Sequence, residues 1–235
     1  MVRPVKQLDI VAIVPARRGS KRLPRKNTLP LAGKPLIQWT LDAVKASATA
    51  DLIVVTSDDE EVLNIAASNG VMTILRPDYL ASDAAATVDV VLHVLDTLKA
   101  KNLSAKRVML LQPTSPLRRA EHIRAAIKRM DEVGASSIIS VCEMEHSPLW
   151  SNTLPDDGRM DDFIEPGLKG KRSQDFSVYY RLNGAIYIVD TSEFLVKKDF
   201  FLDNCYSFCM PKDASVDIDS EYDLLIADAF LSSRK

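Results

Sequence analysis

Residues 8–27 read LDIVAIVPARRGSKRLPRKN. The first part is a short, almost uninterrupted apolar run, the pattern of a strand buried on both faces and so of a parallel sheet. The second part sets six cations, Arg17, Arg18, Lys21, Arg22, Arg25 and Lys26, around Gly19, Ser20 and Pro24. A loop leaving the carboxyl end of a first parallel strand lies where open α/β sheets bind ligands. Gly19 and Ser20 let the backbone turn and direct N–H groups at an anion. Arginine adds a two-pronged grip on phosphate oxygens and lysine a point charge. The loop has neither the GxxxxGK[ST] nor the GxGxxG spacing. By charge pattern alone, a solvated basic turn or a localisation-type cluster fits as well. The position directly after the first strand favours phosphate.

The charge is local. The chain carries a net −2, so without the six loop cations the remainder stands at −8. This favours a small anionic ligand over a long polyanion such as nucleic acid. With 235 residues, 46% hydrophobic and 26% charged, the chain can bury a core as one large α/β domain or two small ones. No apolar run reaches membrane-spanning length, and MVRPVKQLDI lacks the apolar core of a signal peptide. Three cysteines, Cys142, Cys205 and Cys209, cannot form a full disulfide set, and Cys205 and Cys209 have neither CxxC spacing nor a nearby histidine. Reduced thiols in a cytoplasmic protein, with no membrane partner, are the expectation.

Outward from the first strand, apolar runs alternate with helical patterns. PLIQWTLDAVKAS places Ile37, Leu41 and Val44 on one helical face. LIVVTS, VMTIL, RVMLLQP and SSIISVC read as strands. DEEVLNIAASNG (acidic at its start, with Gly70 as a stop), TVDVVLHVLDTLKAK and AEHIRAAIKRMDEVG read as helices. TSDDEE at 56–61 reads as a helix start. Such alternation implies one α/β domain over residues 1–235, a Rossmann-like, mainly parallel sheet with helices on both faces. From 143 to 180 the chain turns polar and rich in Pro and Gly, too long for an ordinary connection, and reads as an inserted lid, arm or oligomer contact. GAIYIV restores strand character, and SEYDLLIADAF closes the chain with Tyr222, Leu225, Ile226, Ala229 and Phe230 as its expected buried face.

Two further stretches carry chemistry. In DASVDIDSEYDL, Asp217 and Asp219 stand two apart, so an extended backbone turns both carboxylates to one side. Oxygen ligands beside a phosphate site suit Mg²⁺. The plainer reading is that Asp219 or Ser220 caps the last helix. In LLQPTSPLR, Gln112 ends a buried strand with an amide able to read donors and acceptors, and a simple turn into the next helix fits equally. His93, His122 and His146 are scattered and receive no chemistry.

Taken in order, IVPARRGSKRLPRKN, RPDYLASD, LLQPTSPLR, MEHSP, RLNGAIYI and SVDIDSEYDL resemble the successive motifs of the CMP-sialic acid synthetases, the N-acylneuraminate cytidylyltransferases. The resemblance spans nearly the whole chain and implies a fold of nucleotidyltransferase type. It also implies an activity: joining CMP from CTP to an acidic nine-carbon sugar, with release of pyrophosphate. Arg17, Lys26 and Asn27 match triphosphate-loop residues, with Ser20 and Lys21 inside the loop. Arg76, Thr87 and Gln112 fall where that family holds cytidine and sugar, Gln112 among the sugar contacts. Arg181 matches an arginine of the sugar pocket, and Asp217 and Asp219 match Mg²⁺ carboxylates. Residues 143–180 correspond to a dimerisation arm, so a homodimer is implied. Trp150 stands where sialate members commonly have lysine, and Ser173 where they often have arginine, with Arg172 beside it as a sugar-pocket candidate. Legionaminate, pseudaminate and octulosonate therefore remain alternative substrates, as does a non-catalytic anion- or nucleic-acid-binding module. The end of the chain soon after the last helix implies no hydrolase domain of the kind some members carry.

Overall fold

The computed structural model describes residues 4–20, 22–82 and 84–233. Lys21, expected in the triphosphate loop, lies outside them. Strand β1 (Lys6–Pro15) is the apolar run that opens the chain, with Val11 to Val14 fully buried. A small hairpin, β2 (Pro30–Leu31) and β3 (Lys34–Pro35), leads into helix α1 (Leu36–Ser47). Then follow β4 (Leu52–Ser57), α2 (Glu60–Ser68), β5 (Met72–Leu75), α3 (Asp78–Ala81), α4 (Thr87–Ala100) and β6 (Leu103–Leu110). The second half holds α5 (Ala120–Val133), β7 (Ser137–Glu143), β8 (Tyr180–Asp190), α6 (Thr191–Lys197), β9 (Cys205–Cys209) and α7 (Glu221–Ser232).

Seven strands form one sheet in the order β5-β4-β1-β6-β8-β7-β9. The pairings are parallel except those of β8, which runs antiparallel to both β6 and β7. Alternate β1 side chains enter opposite layers, as period-2 geometry requires. Ile10, Ala12 and Val14 pack with α1 and α5, while Val11 and Ile13 pack with α4 and α6. Helices thus cover both faces, as expected. Ile37, Leu41 and Val44 are indeed buried.

The last helix departs from expectation. Tyr222 and Leu225 are each 71% exposed, and Ala227 and Leu231 are buried instead, with Leu224 and Phe230 partly covered beside them. This helix is apolar on more than one side, so spacing alone does not select a face. The face that packs is the one meeting Leu31 and Leu36, and beside it Asp228 accepts a hydrogen bond from Ala32 N at 3.0 Å.

Residues 143–180 depart from the sheet as a mostly exposed excursion with short 3-10 turns at Pro148–Trp150, Pro166–Leu168 and Ser173–Asp175. Trp150 and Phe176 meet edge to face at 5.3 Å within it. All three cysteines are unpaired. Among the described residues, no helix is long and apolar enough to cross a membrane.

Candidate active site

The basic loop leaves β1 at the carboxyl edge of the sheet and is shaped by its own polar groups. Arg18 N donates to Asp58 Oδ1 at 2.8 Å, which ties the loop's start to the turn after β4. The buried Asn27 donates to Arg17 O at 2.9 Å and closes the loop from inside. Arg25 takes a left-handed conformation (φ 55°) that turns the chain into a 3-10 segment, and its guanidinium pairs with Glu61.

The loop's far end meets the second aspartate of the DxD pair. Lys26 Nζ donates to Ile218 O at 2.5 Å and to Asp219 Oδ1 at 2.9 Å, a contact across 193 residues of sequence. Arg22 approaches the other Asp219 oxygen at 3.5 Å. Between loop and aspartate lies an open cavity of about 500 Å³. From the loop it receives Arg17, Ser20, Lys26 and Asn27, and from the facing wall Arg76, Thr87, Gln112 and Asp219. Arg76 is almost fully buried and donates to Thr56 O at 2.9 Å. Burial lowers its pKa, the charge of Asp58 works the other way, and the nearby Arg17 charge lowers it further. Thr87 opens α4, whose first N–H groups and positive dipole end face the same space.

Asp217 and Arg181 occupy an adjoining corner. Gly184, in β8 with φ +71°, allows the close approach: a Cβ there would stand 2.8 Å from Gln112 Oε1 and 3.8 Å from Asp217 Oδ2. Arg181 Nη2 lies 3.3 Å from Ser215 O and 3.6 Å from Glu145. Arg172 does not join the group; it sits on the 143–180 excursion, exposed and paired with Asp175.

Thr114 was not singled out in the sequence, yet it lines the cavity, hydrogen-bonds Asp217 and accepts Ile218 N on its carbonyl at 2.8 Å. Its signal was the QPTSP turn, whose threonine points at a partner a hundred residues away. Glu145 was also missed, although it stood inside the MEHSP stretch.

The two aspartates suit a hard cation. Asp217 Oδ1 is buried without a hydrogen-bond partner among the described residues. Burial pushes the Asp217 carboxyl up, the Thr114 hydroxyl opposes this, and the Asp219 charge pushes it further up; Lys26 and Arg181 recover part. Two neighbouring carboxylates, one desolvated, are a donor set that a divalent cation would relieve. The cations around the cavity in turn suit a polyphosphate.

The cytidylyltransferase family profile matches residues 11–158, more than half of the chain. The chain belongs to the cytidylyltransferase family. It is 33% identical over 232 residues to the CMP-N,N'-diacetyllegionaminic acid synthase of Legionella pneumophila, covering 95% of this chain and 97% of that protein. It is 35% identical over 217 residues to the N-acylneuraminate cytidylyltransferase of Streptococcus agalactiae, covering 92% of this chain and 51% of that one. The chain thus spans about half the length of such N-acylneuraminate relatives. Among solved structures, the CMP:2-keto-3-deoxy-manno-octonic acid synthetase complexed with CTP shares the fold with a TM-score of 0.71 at 18% identity, covering 97% of this chain and all of that one. The profile covers the basic loop, Arg76, Thr87 and Gln112 but ends before Arg181 and the DxD pair.

Proposed function

We propose that the protein transfers CMP from CTP to an acidic nine-carbon sugar, an N-acylneuraminate or close relative, with Mg²⁺ and release of pyrophosphate. The observation that carries this reading is the meeting of Lys26 with Asp219 beside Gln112, around one cavity. It supports a polyphosphate grip, a cation site and a sugar-reading amide around one reacting bond.

The anomeric hydroxyl attacks the α-phosphorus in line; the new oxygen–phosphorus bond forms as the bond to the oxygen bridging to the β-phosphate breaks, pyrophosphate leaves with that oxygen, and the hydroxyl proton is released to solvent. The protein's work is to position the reactants and offset charge. Arg17, Lys26, Asn27, Ser20 and Lys21 hold the triphosphate, and Arg76 and Thr87 the nucleotide. Asp217 and Asp219 would hold Mg²⁺, which when bound supplies positive charge to the phosphate oxygens and the leaving pyrophosphate. Gln112 and Arg181 take the sugar. Its carboxylate replaces Glu145 on Arg181, an exposed ion pair that is easily given up.

The 143–180 excursion serves as the dimerisation arm. It displays Leu154 and Val178, 63% and 59% exposed, in keeping with surfaces that a second copy covers. Legionaminate is the second substrate reading, favoured by the end-to-end match to the Legionella pneumophila protein.

Pyrophosphate release from CTP and Mg²⁺, measured with N-acetylneuraminate, legionaminate, pseudaminate and octulosonate in parallel, tests the reading. Turnover with one nine-carbon sugar is expected. Silence with all four while CTP binds would remove the proposed activity.

A further inference from the structure

We propose that Arg118 is a positioning residue for the sugar side of the site, acting through the segment that carries Gln112. The proposal rests on the reading that Gln112 contacts the sugar.

Arg118 is 2% exposed, and among the described residues no carboxylate pairs with it. Its donors instead bind groups on three separate parts of the chain. Nη1 donates to Ala185 O in β8 at 2.7 Å and to Gln112 O at 3.1 Å. Nη2 donates to Thr40 Oγ1 in α1 at 2.5 Å. A buried cation without a counter-charge is costly, and an apolar side chain of the same volume would fill the space without that cost. Packing alone therefore does not call for arginine here. What the guanidinium adds is a rigid, planar, many-donor head that can hold two carbonyls at a set separation.

Those two carbonyls flank the contact that matters. One is the carbonyl of Gln112 itself; the other belongs to the residue after Gly184, the glycine over which Gln112 Oε1 lies. Arg118 thus clasps both sides of the gap that the Gln112 side chain crosses. The segment between Gln112 and Arg118 also has open space on two sides. Gln112, Pro113 and Thr114 face the 500 Å³ cavity, while Pro116 and Leu117 face a separate apolar cavity of about 400 Å³ beside Trp39. Leu117 is anchored in the core beside Leu31 and Leu36, whereas Gln112 and Thr114 at the cavity end are only half-buried, so there the Arg118 hydrogen bonds add to what packing provides. Burial lowers the Arg118 pKa to about 9, which leaves it a cation at neutral pH.

The test is a double-mutant cycle on Arg118→Lys and Gln112→Ala. Pyrophosphate release is followed with sugar and CTP varied separately, and each variant's Tm is recorded. Gln112→Ala should raise the sugar KM about tenfold, the loss of one good hydrogen bond, with the CTP KM moving less than about twofold. Arg118→Lys should show the same split, and the double variant should be no worse than the poorer single one, because both changes break one linkage. If the two effects multiply, if the CTP KM moves as far as the sugar KM, or if Arg118→Lys changes only Tm, the proposal is overturned. A Gln112→Ala variant with an unaltered sugar KM would overturn the reading of Gln112 itself, a result distinct from the others. Should Arg118→Lys not fold, Thr40→Val replaces it in the cycle, since it removes one of the three bonds and keeps the cation. The expectation then is a sugar-specific KM rise of about two- to fivefold, and an unchanged sugar KM counts against the proposal.

Discussion

Gly184 shows how one residue joins backbone conformation to the placing of a distant side chain. Its φ of +71° lies in the left-handed region, and the missing Cβ leaves room for Gln112 Oε1. Gly184→Ala therefore meets two obstacles at once. The conformational one costs about 1–2 kcal/mol, a Tm loss of about 2–8 °C for a chain of this size. The steric one displaces the Gln112 amide, so the sugar KM rises while the CTP KM stays within about twofold. Thermal melts and two-substrate kinetics check both parts; a normal sugar KM in the folded variant would show that the amide can shift without consequence. The Asn-Gly pair was visible in RLNGAIYI, but its purpose was not. Gln112, 72 residues earlier, is what the glycine makes room for, and no local pattern records that partner. Arg118 was hidden for the same reason: it looked like the end of a turn motif, and its acceptors are carbonyls and a hydroxyl brought in from α1 and β8.

At the scale of elements, α7 governs the DxD pair through its first turn. Asp223 accepts from Ser220 Oγ at 2.7 Å, Ser220 N at 2.8 Å and Asp219 N at 3.0 Å. The helix cap therefore also fixes the backbone of a proposed metal ligand. Burial works against the Asp223 charge, but the Ser220 hydroxyl and the two backbone N–H groups outweigh it and hold the carboxyl below its ordinary value. The stabilisation is thus full above the unfolded pKa near 3.8 and is lost as the pH falls through the lowered folded value. Asp223→Ala should cost about 1 kcal/mol at neutral pH, or about 2–4 °C in Tm. Melts of both proteins at pH 7 and then below the folded pKa should converge at the acid end. Elements of this kind were well marked in the sequence, because parallel strands buried on both faces are apolar throughout and the helices between them are amphipathic. The direction of β8 was not marked, since chain direction leaves no trace in side-chain pattern. Nor was the buried face of α7, where apolar residues lie on more than one side and Ala227 and Leu231 turn inward.

For the whole molecule, the arm is the open question that a mass measurement answers. A compact domain with a polar excursion bearing exposed Leu154, Met160 and Val178 is expected to sediment as a dimer, at twice the 26.1 kDa of the chain. Replacing residues 146–178 by a short Gly-Ser linker should leave a folded monomer. A monomer from the intact chain would remove the dimerisation role of the arm.

The contact between Lys26 and Asp219 has a further consequence for how ligands enter. In the free protein Lys26 and Arg22 of the basic loop pair with Asp219. A triphosphate arriving alone would draw Lys26 away and strand a carboxylate; a divalent ion arriving alone would strand the lysine. Arriving together, the two swap partners with the protein, so that neither Lys26 nor Asp219 is left without an opposite charge. Nucleotide and metal should therefore tighten each other's binding by the same factor, whichever comes first, and the Lys26–Asp219 contact acts as an internal stand-in for both, given up most readily to the two together.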